Sequence, residues 1–122
     1  MGFGESVLME KSYRFSIRII KLSKYLREEH REFVLSRQIL RSGTAIGALI
    51  REAQFAQSDA DFTHKLSIAL KEAGESEYWI DLLHDTDYLN SPMYQSIKKD
   101  IKELIRLLVA SVKTTKQKST QS

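Results

Sequence analysis

Apolar residues recur three and four positions apart along nearly the whole chain, and that spacing leaves few folds open. Leu8, Phe15, Ile19, Leu22 and Leu26 keep one side of a first helix apolar, from about Val7 to Glu29. HREFVLS reads as a connection, with Ser36 the candidate N-cap of a second helix reaching Ala56, whose inner stripe is Ile39, Gly43, Ile46, Ile50 and Ala53. Ser58 with Asp61 resembles a capping box in which Asp replaces Glu or Gln. It opens a third helix, Asp59 to about Asp87, with Phe62, Leu66, Ala69, Ala73, Ile80 and Leu83 inward. Asn90, Ser91 and Pro92 give the clearest helix start, a capping side chain followed by proline at the first turn. The fourth helix then buries Ile97, Ile101, Leu104, Leu108 and Val112.

One proline and five glycines in 122 residues are too little punctuation for many short strands. Four helices of roughly 20 residues on short connections predict an all-α fold, a left-handed, up-down-up-down antiparallel four-helix bundle. It occupies residues 1–113, and the polar tail 114–122, with no apolar anchor, is expected to be disordered.

Inside the second helix, RSGTAIGALIREA places glycines at 43 and 47, each costing a helix interior roughly 1 kcal/mol relative to alanine. Glycine on an inward face lets two backbones approach closely, flanked by Ile46 and Ile50. That reading is preferred to space left for a ligand.

With no cysteine, the chain has no disulfide, thiol catalysis or cysteine-ligated metal. No apolar run nears the ~18 residues of a membrane span, and the N-terminus lacks a signal-peptide layout. Cytoplasmic localisation without membrane association is the expectation. MGFGES fits the myristoylation pattern at Gly2, as does any Met-Gly start with a serine four residues on.

The formal net charge of +3 hides strong local fields. Residues 9–29 carry six bases against three acids, residues 59–87 two against eight, and residues 92–118 seven against two. Lys11, Arg14, Arg18 and Lys21 form one helical stripe, and Lys98, Lys102 and Arg106 another. The first and fourth helices are neighbours in such a bundle, so the stripes are expected to merge into a basic face that meets nucleic-acid phosphates rather than bases. The alternatives are a solvated lysine surface, or a basic face answering the acidic third helix of a neighbouring copy.

Two further apolar strips, Met9, Tyr13, Ile17 and Ile20 on the first helix and Ile68, Trp79 and Leu82 on the third, are rotated away from the core stripes. A monomeric bundle needs one buried stripe per helix, so the second strips predict self-association. The bland alternative is that Tyr13 and Trp79 lap over the bundle edge.

Glu72 and Glu75 lie beside the third helix's core face with Lys65. Salt bridges from Glu52, Glu72 and Glu75 to Arg41, Arg51 or Lys65 are expected rather than paired-carboxylate catalysis. A bundle di-metal site wants carboxylates from all four helices and two E-x-x-H turns. The chain has only Asp81, His84, Asp85 and Asp87 near one helix end, and His30 and His64 read as surface residues. No P-loop, dinucleotide fingerprint, nucleophile elbow or H-E-x-x-H occurs, so neither enzymatic activity, a metal nor a cofactor is expected.

RSGTAIGALIREA and DFTHKLSIALKEAGESEYWIDLL together resemble the bacterial four-helix-bundle family called 23S rRNA intervening-sequence proteins, the likeness spanning roughly Tyr13 to Ile105. Arg41, Ser42, Ile46, Ile50 and Glu52 match its first pattern, and Phe62, Leu66, Ile68, Ala69, Glu72 and Glu75 its second. Ala45 and Leu49 stand where serine and asparagine are common, so polar roles there do not carry over. The resemblance implies a homo-oligomeric ring, a pentamer, without established enzymatic activity. It also implies kinship to the accessory proteins of diversity-generating retroelements, which bind nucleic acid beside a reverse transcriptase. The expected partners are therefore copies of the chain and RNA or DNA. The alternative is a scaffold for a protein such as a polymerase or reverse transcriptase, with no direct nucleic-acid contact.

Overall fold

The computed structural model describes the backbone of residues 3–121 and the side chains of these except 3, 5 and 119–121; Gly2, the acylation candidate, lies outside them. Four helices follow in order: α1 (Phe3–His30), α2 (Leu35–Ala53), α3 (Asp59–Asp85) and α4 (Ser91–Gln121). Sequential helices pack side by side and antiparallel, and α4 returns to α1 to close the bundle. Of these four contacts, α1 with α4 is the most open.

The helical periodicity becomes one continuous core. Phe15, Ile19 and Leu26 meet Ile39, Ile46 and Ile50, and Leu66, Ile80, Leu83, Ile101 and Leu108 complete it, all shielded from water. Each such side chain contributes about 1.5–3 kcal/mol of transfer free energy. Phe62 is only half-buried, while Leu89, in the α3–α4 turn, joins the core. Gly43 sits where the α1 and α2 backbones come closest: a Cβ built on it would lie 2.8 Å from both Cγ atoms of Ile19. At Gly47 the same atom would stand 3.3 Å from the Ser12 carbonyl oxygen and from Ser16 Oγ. Buried serines continue this small-residue packing. Ser23 donates to the Ser36 carbonyl, and Ser76, which reaches the Glu72 carbonyl, lies 3.0 Å from Ser42 Oγ across α2 and α3.

Two helix starts follow the sequence. Asn90 accepts from the Met93 N–H ahead of α4, and Ser58 accepts from the Asp61 N–H ahead of α3. The Asp61 carboxylate reaches back to the Gln57 N–H, not to Ser58 as a full capping box requires.

The start of α2 differs from expectation. Ser36 is not the cap; it lies inside the helix, buried, its Oγ without a hydrogen-bond partner. Val34 holds the cap position in helical geometry, and the Glu32 carboxylate accepts from the Ser36 N–H at 2.8 Å. An acid four residues upstream thus satisfies the donor that a capping serine usually satisfies. The chain is aimed into this turn by Arg31, held at φ 53°. At its other end α2 stops at Ala53, three residues short of Ala56, where Gln54, Phe55 and Ala56 form single turns. Asp87, at φ 71°, ends α3 in a Schellman arrangement, with Tyr88 N–H donating to Leu83 and Asp87 N–H to His84.

The tail expected to lack structure instead continues α4 to Gln121. No proline or glycine follows Pro92, so nothing breaks the hydrogen-bond ladder, and Thr115 and Lys118 line a hollow beside the α2–α3 turn together with Phe62.

Candidate nucleic-acid interface and subunit surface

The two predicted basic stripes do face each other across the α1–α4 seam, but acids are interleaved between them. Lys11 pairs with Glu103, Arg14 with Glu10 on its own helix, and Arg18 with Asp100 while also donating to Ser96. Lys98 points the other way, toward α3, where its ammonium meets Asp81 at 2.7 Å and Glu77 at 3.1 Å. Burial works against that ammonium, yet its bonds to Asp81 and Glu77 outweigh burial and hold its pKa above the ordinary lysine value. Lys21, Lys102 and Arg106 are exposed and make no ion pair among the described residues.

Two residues outside the predicted stripes complete a simpler pattern. Lys99, Lys102, Arg106 and Lys113, at spacings of three, four and seven, occupy the solvent face of α4, and all four are exposed. None is ion-paired among the described residues. The row is about 21 Å long at ~1.5 Å per residue. Its spacing was visible in the sequence, but which α4 positions face solvent depends on where α1 and α3 dock.

The second apolar strip of α1 is bare. Tyr13 is 58% exposed, Ile17 41% and Ile20 50%, whereas Met9 packs against the core. Beside them, Gly47 and Ala48 floor a hollow between α1 and α2. The α3 strip is less free: Ile68, Trp79 and Leu82 are half-buried. Trp79 packs on the core and donates its indole N–H to Glu75, with the more exposed Tyr78 edge-on against it at 5.0 Å.

On the α2–α3 side, Arg41 bridges Glu72 at 2.8 Å and Glu75 at 2.6 Å, and Lys65 reaches Glu52 at 3.1 Å; Arg51 has no ion-pair partner among the described residues. The Arg41 bond holds the Glu75 carboxyl below its ordinary value. Asp81 is likewise lowered: burial pushes it up, but hydrogen bonds from Lys98 and Tyr94 prevail. Lys11 does the same to Glu103. A carboxylate depressed in the folded state contributes stability that is complete above its unfolded pKa and is lost as pH falls through the folded value. The urea midpoint is therefore expected to stay level from neutrality to about pH 5 and to decline below the ordinary carboxylate range of about 4–4.5. Glu75→Gln should lower the neutral plateau by about 0.5–1 kcal/mol, as for a partly exposed pair, and flatten that decline. An acid limb unchanged by Glu75→Gln would assign the loss to other carboxylates.

The D-x-x-H turn is occupied by neighbours. His84 stacks on Tyr94 with ring centres 4.0 Å apart and meets Asp85, while Asp81 accepts from Tyr94 and Lys98. Among the described residues no three potential metal ligands converge. His64 is exposed, and His30 stands edge-on to Tyr25 and Tyr88. No helix among the described residues is long and apolar enough to cross a membrane.

The profile of the 23S rRNA-intervening sequence protein family matches residues 5–110. A crystal structure of a protein of unknown function from the S23 ribosomal protein family of Bacteroides thetaiotaomicron is similar over 91% of this chain and 99% of its own, with 52% identity and a TM-score of 0.89. No curated protein matches the chain significantly.

Proposed function

This chain belongs to the 23S rRNA-intervening sequence protein family, and on that premise we propose that it is a non-enzymatic, homo-oligomeric bundle that presents basic surfaces to the phosphates of RNA or DNA. The supporting observation is the α4 row: Lys99, Lys102, Arg106 and Lys113 are exposed and make no ion pair among the described residues, and Glu103, the acid that borders them, is held by Lys11. Arg14, whose only ion-pair partner among the described residues is an exposed acid on its own helix, extends the contact surface at low cost. Lys11, Arg18 and Lys98 serve mainly to hold helices together, since recruiting them to phosphate would break existing ion pairs. Assembly of copies through the bare α1 strip, into a ring of five as the family resemblance implies, repeats the row and multiplies the phosphates neutralised.

Charged rows of this kind carry no base-reading geometry, so affinity should be nearly independent of sequence and steeply dependent on salt, with log K falling by about 0.9 per log salt for each duplex phosphate neutralised. Lys102→Glu with Arg106→Glu should weaken binding of a mixed-sequence oligonucleotide and reduce the salt slope by about 1 for each contact removed per protomer. Fluorescence anisotropy across a salt series reads both quantities. If no binding appears even at low salt, nucleic-acid recognition is wrong and a protein-docking scaffold takes its place.

A further inference from the structure

The open α1–α4 contact carries a second site. Long polar side chains span it, Arg18 to Ser96 and Asp100, and Lys11 to Glu103. Beyond Arg18, toward the α3–α4 turn, the helices leave a groove of about 400 Å³. Its walls are Leu22 and Tyr25 from α1, Leu89 from the turn, and Met93 and Ile97 from α4. The charged residues that line it are both cations, Arg18 and Lys21. Arg18 is committed to Asp100, which leaves the Lys21 ammonium at the rim without an ion-pair partner among the described residues. Among the described residues no carboxylate lines the groove.

We infer that this groove binds a small amphiphile with one anionic group, a medium-chain carboxylate, whose tail lies on Leu22, Met93 and Ile97 and whose headgroup pairs with Lys21. An apolar floor rejects a multiply charged ligand, because phosphates buried there would lack donors. A lone cation at the rim rewards one negative charge. The volume lies at the small end of ligand sites, which suits a single short chain. Lys21 is on α1, apart from the α4 row, so the inference stands or falls separately from nucleic-acid binding.

The probe is decanoate, titrated into the intact protein below its aggregation concentration and followed by methyl NMR. Saturable shifts are expected at Leu22, Leu89, Met93 and Ile97. Lys21→Gln, at an exposed position that leaves the core untouched, should weaken decanoate about tenfold and leave the neutral decan-1-ol unchanged. Leu22→Phe or Met93→Trp should fill the groove and abolish the shifts; the pair guards against one variant failing to fold. The inference is overturned if the shifts do not saturate, if they fall instead on Ile17 and Ile20, or if decanol binds as tightly as decanoate.

Discussion

Gly43→Leu is expected to abolish the native fold, and the milder Gly43→Ala to destabilise it by a net of up to about 2.5 kcal/mol. Alanine in place of an interior helical glycine gains about 0.5–1 kcal/mol from helix propensity. At position 43 that gain is outweighed, because the added Cβ would lie 2.8 Å from both Cγ atoms of Ile19 and 3.2 Å from its Cβ. Those atoms sit near the α1 backbone on a branched, fully buried side chain, so they cannot swing aside, and overpacking of this kind costs about 1–3 kcal/mol. The other helical glycines calibrate the effect. Gly74 is exposed, and a Cβ there meets nothing within 4 Å, so Gly74→Ala should stabilise by about 0.5–1 kcal/mol. Gly47, 3.3 Å from a carbonyl oxygen, should fall between them. In a double-mutant cycle, Gly43→Ala combined with Ile19→Ala should cost less than the two single changes together, because truncating Ile19 removes the clash. Thermal melts of the three alanine variants suffice, and a stabilised Gly43→Ala would refute the close-packing account of α1 and α2.

The second large effect concerns assembly. On the proposed oligomer, Ile17→Asp with Ile20→Asp should reduce the mass in solution to the 14.1 kDa of one chain without unfolding it. Both side chains are 41–50% exposed in the single copy, so aspartate there meets water, whereas across a subunit contact it would be a buried, unpaired charge. Ile19→Asp, which lies between them in sequence and is fully buried, should unfold the chain and so marks the difference between core and contact. Light scattering on the parent protein decides the premise: a mass of 14.1 kDa at tens of micromolar would end the ring proposal before any variant is made.

Much of the helical architecture could be read from residue spacing because a core stripe is a local property. Ile39, Gly43, Ile46 and Ile50 line up on any helix, and the Asn90 and Ser58 caps act over three residues. Expectation and structure part where a remote or competing partner decides. Ser36 resembles a cap, but Glu32 takes that role and the docking of Ser23 buries Ser36. The polar tail lacks apolar anchors, yet an unbroken helix needs none to extend a helix already nucleated by a packed core. Spacing alone does not separate Lys98, which turns to Glu77 on α3, from Lys99 and Lys113, which face solvent.

By itself, then, the sequence determined four amphipathic helices, their order and their buried faces, since hydrophobic periodicity and capping depend only on residues within a turn or two. Which cations remain available, and how tightly each helix pair closes, was decided by the tertiary structure alone. Charge pairing acts across helices: Arg18 finds Asp100 and Lys98 finds Asp81 from positions 82 and 17 residues distant, and only docking brings those groups within hydrogen-bond reach.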